Sequence, residues 1–161
     1  MSASQEFILG EFSRTLDERH RLSIPSELAD PLLSGAGRCI LAKERPGCLS
    51  LWNEAAWQAV LDEGVELVKT KMRAGKLAGK LDEVQLLSRL LSTRHKRVQL
   101  AGRGRLSIPD GFREFLQVEQ GGEVVVIGAG VCVEIWNTRA WLAHLELHIS
   151  QFRQLFDKLS S

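Results

Sequence analysis

Apolar and polar residues alternate along Arg21-Leu22-Ser23-Ile24-Pro25, and the same five residues return as Arg105–Pro109. A period of two predicts a short strand, which proline ends because it brings no amide N–H. A further strand precedes each copy, Glu11–Leu16 in the first and Arg97–Leu100 in the second, joined to it by a polar turn. After each proline, Ser26 or Asp110 is placed to cap a short helix over Glu27–Leu33 or Gly111–Leu116. Then comes a hairpin, CILAKERPGCLSLW in the first copy and EVVVIGAGVCVEIW in the second. A longer helix starts behind Asn53 or Asn137. With Asn at the N-cap, the Trp before it and the Trp four residues into the helix take hydrophobic-staple positions, Trp52 on Trp57 and Trp136 on Trp141.

The two copies keep register at an offset of 84 residues, the distance from Arg21 to Arg105. The same offset pairs Arg19 with Arg103, Leu32 with Leu116, Gly37 with Gly121, Cys48 with Cys132, Trp52-Asn53 with Trp136-Asn137 and Trp57 with Trp141, without a gap. Such agreement identifies a tandem duplication. The chain divides into a first repeat over 7–64, a basic helical connector over 65–92, and a second repeat with a C-terminal helix over 93–161. Strands mixed with segregated helices make the expected class α+β. Leu81, Val84, Leu87, Leu90 and Leu91 form one helical stripe, and Trp141, Leu145, Ile149, Phe152, Phe156 and Leu159 form another. Small hairpin-built units have little interior, so these faces are expected to meet a neighbouring subunit.

Composition narrows the function classes. With 44% hydrophobic residues, 25% charged residues and 4 prolines, the chain is globular rather than disordered. No apolar run reaches the roughly 20 residues of a membrane helix, and MSASQEFILGEF lacks the basic start of a signal peptide. Cys39, Cys48 and Cys132 have neither CxxC spacing nor a nearby His pair, which favours a reducing cytoplasm over a disulfide or zinc framework. VVVIGAG ends like a dinucleotide-binding strand but continues into another strand where a helix N-terminus is needed, so Gly128 and Gly130 are read as turn glycines. His144 and His148 lack a third ligand and are read as solvent-facing. Ser23 has no activating motif around it, and no catalytic role, cofactor, metal or small-molecule substrate is inferred. The net charge is +1, yet between Leu67 and Pro109 fall eleven of the 21 Lys and Arg against two of the 20 Asp and Glu. That asymmetry can give a near-neutral protein one positive face suited to a polyanion.

The turns leading into each RLSIP, Asp17-Glu18-Arg19-His20-Arg21 and Ala101-Gly102-Arg103-Gly104-Arg105, both end in a basic-x-basic triplet. One guanidinium of such a pair can hold phosphate while the other meets guanine O6 and N7 bidentately. The doubled Arg-x-Arg-Leu-Ser-Ile-Pro, the RPGCLSLW hairpin and the opening ILGEFSRTLDERHRLSIP resemble the MraZ family from about Phe7 to Leu159. The resemblance implies two AbrB-like (SpoVT-AbrB) swapped-hairpin units in a ring-type homo-oligomer. It also implies a cytoplasmic, nucleoid-associated transcriptional regulator that binds double-stranded DNA at short G-rich direct repeats upstream of division and cell-wall genes. On that basis Arg21 and Arg105 are expected to read bases, with Arg19 and Arg103 on phosphate or a neighbouring base. Arg14, His20, Arg94, Lys96 and Arg97 are expected to add positive charge. Two positions depart from the family loop Asp-x-Lys-Gly-Arg. His20 stands where the family has Gly and must turn left-handed or reshape the loop; Ala101 stands where it has Asp and loses a brace on the turn. The alternative function is a ring-forming structural or protein-interaction module that keeps the fold without specific DNA readout.

Overall fold

Strand alternation leaves each short hairpin with one apolar face to cover and two open edges, and the two halves of the chain solve both problems on each other. The computed structural model describes residues 7–33 and 37–161; the start of the segment read for a signal peptide lies outside them. The elements run β1 (Ile8–Thr15), β2 (Arg21–Ser23), α1 (Ser26–Ala29), β3 (Arg38–Arg45), β4 (Cys48–Asn53), α2 (Glu54–Arg73), α3 (Leu81–Thr93) and β5 (His95–Gln99). They continue with β6 (Arg105–Ser107), α4 (Phe112–Leu116), β7 (Glu123–Gly130), β8 (Val133–Asn137), α5 (Thr138–His148) and α6 (Phe152–Ser160). The class is α+β, as expected.

Six strands form one antiparallel sheet in the order β1-β7-β8-β4-β3-β5, and β2 pairs with β6 in a separate two-stranded ribbon. The outer strands are exchanged: β1 lies on β7 of the other half, and β5 lies on β3 of the other half. Equivalent positions of the duplicated sequence meet at the centre, Ser50 opposite Glu134 in the sheet and Leu22 opposite Leu106 in the ribbon.

One face of the sheet packs on the ribbon and the short helices. Its core joins Leu22, Ile24, Leu28 and Leu32 with Leu106, Ile108, Phe112 and Leu116 over Leu41, Leu49, Leu51, Val124, Val126, Val133 and Ile135. The other face carries the tryptophans. Asn53 accepts from the Ala56 amide at 2.9 Å, and Asn137 from the amides of Arg139 and Ala140 at 2.9 and 3.3 Å, so both predicted caps form. Both staples close, with Trp52 and Trp57 ring centroids 5.5 Å apart and Trp136 and Trp141 5.3 Å apart. The Trp52 indole N–H donates to Ser50 Oγ at 2.8 Å, and that of Trp136 to Glu134 at 2.9 Å. Burial raises the pKa of Glu134. All three cysteines are free and buried; desolvation pushes the Cys39 thiol up to about 11 and Cys132 up to about 12, and raises Cys48 as well. Such thiols stay protonated and inert.

Several local expectations need correction. The first short helix is α-helical over Ser26–Ala29 and then a 3-10 turn over Asp30–Leu32, because Pro31 cannot donate within a longer α-helix. Ser26 does not cap it; Pro25 occupies the N-cap without a side-chain bond. Asp110 does not cap α4 either but pairs with Arg113 at 2.9 Å, while the Gly111 amide donates to the Glu114 carboxylate at 2.6 Å. Gly128 is not a turn residue. It sits within β7 opposite Gly10, where a Cβ would come within 2.6 Å of the Ile8 carbonyl oxygen, so β1 requires its absence. His148 is exposed as expected, whereas His144 is half-buried, its ring 4.9 Å from that of Trp136.

Burial separates the tryptophans energetically. Trp136 is 2% exposed, whereas Trp57 is only half-buried and its indole nitrogen has no partner. Urea unfolding of Trp136→Ala should show a loss of about 3–5 kcal/mol, and Trp57→Ala should lose less than half as much.

Candidate nucleic-acid interface

The repeated pentapeptides fold against each other. In the β2–β6 ribbon Arg21 faces Ser107, Leu22 faces Leu106 and Ser23 faces Arg105. Alternation sends Leu22 and Leu106 into the core and leaves Arg21, Ser23, Arg105 and Ser107 on the outer face. The strands are antiparallel, so the two arginine loops stand at opposite ends of the ribbon, each closing the end of the other's strand. The Ile24 amide donates to the Gly104 carbonyl at 2.8 Å, and the Ile108 amide to the His20 carbonyl at 3.0 Å.

His20 resolves its two alternatives by turning left-handed, with φ 57°, close to the 71° of Gly104 at the equivalent position. The turn is therefore kept, at the cost an L-residue carries in that region. Arg103 is left-handed too, with φ 64°. The loops differ in their bracing. In the first, Asp17 Oδ1 accepts from the amides of Arg19 at 2.8 Å and Arg21 at 2.9 Å, and Oδ2 accepts from Arg21 Nε at 2.8 Å. In the second, the Arg105 amide falls back on the Ala101 carbonyl at 3.2 Å, and no partner meets the Arg105 side chain among the described residues. The Arg21 amide, followed by that of Arg19 and the Arg21 side chain, holds the Asp17 carboxyl below the ordinary aspartate range against the opposing effect of desolvation. A lowered carboxyl stabilises the folded loop above the unfolded-state value, and that contribution is lost as pH falls through the folded one.

The other expected residues divide into two groups. Arg19 and Arg103 project from the loop tips, exposed. Arg14, on β1, stacks its guanidinium 5.5 Å from the Phe12 ring centroid and donates to the Ser13 carbonyl at 2.8 Å. It borders a cleft of about 710 Å³ shared with Ser23, Pro25 and the whole second loop, Ala101 to Gly104. His20 lines a smaller hollow with Asp110, Arg113 and Glu114. Elsewhere, Arg97 pairs with Glu54 at the start of α2, Arg94 donates to the Lys43 carbonyl at 3.0 Å, and Lys96 is exposed on edge strand β5. Two further residues belong to the ribbon face, Ser23 and Ser107, each opposite an arginine. Period-two alternation already puts these hydroxyls on the arginine face, but which strands pair was needed to see it.

Left-handed geometry makes the loops testable. A Cβ at Gly104 would come within 2.5 Å of the Ile24 carbonyl oxygen, so Gly104→Ala should destabilise by more than about 1 kcal/mol. His20→Gly should stabilise by up to about 1 kcal/mol. Thermal and urea unfolding of both variants check the pair.

Comparison with known proteins gives a consistent answer. A family model described as "MraZ protein, putative antitoxin-like" matches residues 93–158. The chain is 29% identical over 154 residues to "Transcriptional regulator MraZ" of Roseiflexus castenholzii, covering 94% of this chain and 97% of that one. It is 26% identical over 151 residues to the protein of that name from Syntrophomonas wolfei, covering 94% and 95%. With that from Alkaliphilus metalliredigens it shares 28% over 133 residues, covering 83% and 82%. The chain is thus similar over most of its length to proteins named transcriptional regulator MraZ, and its second half matches the MraZ family model.

Proposed function

We propose that this protein is a sequence-specific DNA-binding transcriptional regulator that reads short G-rich direct repeats, upstream of division and cell-wall genes, through its two arginine loops. The proposal includes two AbrB-like units, 7–64 and 93–161, joined by the basic connector 65–92. It includes action as a ring-type homo-oligomer on the nucleoid, with no catalytic step. The observation that carries it is the pairing of β2 with β6, which puts Arg21 and Arg105 on one outward face. A two-stranded ribbon fits the major groove, roughly 12 Å wide, where arginine discriminates guanine by donating to O6 and N7. Arg19 and Arg103 at the loop tips reach phosphates, and Arg14 adds charge beside the second loop.

The pairing also bears on the repeats. Arg21 and Arg105 are separated by one strand step of two residues, about 7 Å, and by the width of one strand pair, about 5 Å. Both loops of one chain therefore reach a single short site, and successive direct repeats fall to successive copies of the chain. Self-association has its own support in the exposed apolar residues Leu67, Leu86 and Leu90 on α2 and α3 and Phe152, Leu155, Phe156 and Leu159 on α6. The competing function, a ring-forming interaction module without DNA readout, is favoured by one observation, the missing acidic brace in the second loop.

Fluorescence anisotropy on a duplex carrying G-rich direct repeats, beside a scrambled duplex and across a salt series, separates the two. A regulator keeps its preference near physiological salt; a module without readout binds both duplexes weakly, with salt erasing the association. The double variant R21A/R105A should lose about 10²-fold or more in specific affinity, with an unchanged circular dichroism spectrum.

A further inference from the structure

The loops are equivalent in sequence position but not in how they hold their arginines. Arg21 is gripped at its amide and at Nε by one carboxylate, Asp17. Arg105 bonds only through its amide, to the Ala101 carbonyl at 3.2 Å, and no carboxylate meets its side chain among the described residues. The surroundings differ as well. Around the first loop stand Asp17 and Glu18, and the hollow beneath His20 is bordered by Glu114 and Glu119 and by Asp110, which Arg113 pairs. The cleft along the second loop is bordered by Arg14 and Arg103, with Asp30 as the one carboxylate among the described residues that line it.

We propose that the two heads divide the labour: Arg21 is the specificity-determining residue, and Arg105 supplies phosphate contact with little choice between bases. This rests on the DNA-binding function above. Base discrimination needs two guanidinium N–H groups held in the plane of one base edge, and a freely rotating arginine satisfies itself equally on phosphate or water. A carboxylate on Nε fixes that plane and leaves both terminal nitrogens to donate outward. Arg21 and Asp17 have side-chain exposures of 32% and 42%, so the pair contributes little to stability and acts by orientation. The carboxylate also occupies Arg21 at Nε, which leaves phosphate contact at that end to the exposed Arg19. At the other end, Arg14, Arg103 and Arg105 accumulate positive charge, as phosphate binding requires.

The test uses the full chain, the two duplexes and the salt series, with variants that keep the charge of each arginine. R21K retains the charge but cannot bond bidentately; it should lower the ratio of repeat to scrambled affinity by about 10-fold or more while keeping the salt slope. R105K should leave both the ratio and the slope within about twofold of the parent, and R105A should weaken both duplexes alike and reduce the slope by about one. D17N keeps an oxygen for the two amides but removes the acceptor for Nε, and it should lower the ratio as R21K does, with an unchanged melting temperature. Equal loss of the ratio in R105K and R21K overturns the division of labour, as does a parental ratio in D17N, while specific binding by the parent chain keeps the regulator function standing. A parent chain with no preference for the repeats removes the function itself, and the division with it.

Discussion

Everything in this molecule depends on edge pairing between its two halves. Each half exposes strands whose backbone groups need partners, and burying them unpaired would cost far more than the marginal stability of a chain this size. Exchange of β1 and β5 closes the outer edges of both hairpins, β4 on β8 closes the inner ones, and the β2–β6 pairing does the same for the pentapeptides. Leu22 and Leu106 meet at the centre of that ribbon, 3% and 0% exposed, and tie it to the core. Neither half completes its own sheet, so the duplication is a folding requirement before it is a functional one.

The arginine-bearing face follows from the same constraint. A strand that buries Leu22 must expose Arg21 and Ser23, and one that buries Leu106 must expose Arg105 and Ser107. Pairing brings these four side chains to one surface, and the loops closing the ribbon ends add Arg19 and Arg103. The positive φ of His20 and Gly104 is the local consequence, since each offers its carbonyl to the opposite strand at the ribbon's end. The core therefore aims the arginines outward through the two leucines that anchor the ribbon.

Charge is deployed more selectively than the basic segment suggested. Of the cations between Leu67 and Pro109, Arg94 bonds to the Lys43 carbonyl and Arg97 neutralises Glu54, so both serve the junction of sheet and helix. Lys69, Lys71, Lys76, Lys80 and Arg89 remain exposed on the helical connector, and Arg103 and Arg105 on the ribbon and its second loop. A linear count of charge cannot distinguish these roles, because ion pairing depends on which helix start lies against which strand.

The sequence by itself determined the repeat, the order of elements, both Asn caps, both tryptophan staples and the loops that carry the arginines. All of these rest on spacing within a few residues, or on one copy matching the other. Only the tertiary structure decided that the two pentapeptides pair with each other, that outer strands are exchanged, that His20 turns left-handed, and that Asp17 holds the Arg21 side chain while that of Arg105 meets no partner among the described residues. Those outcomes join residues more than 50 positions apart, or choose between local conformations of similar energy, and a linear pattern holds no term for either.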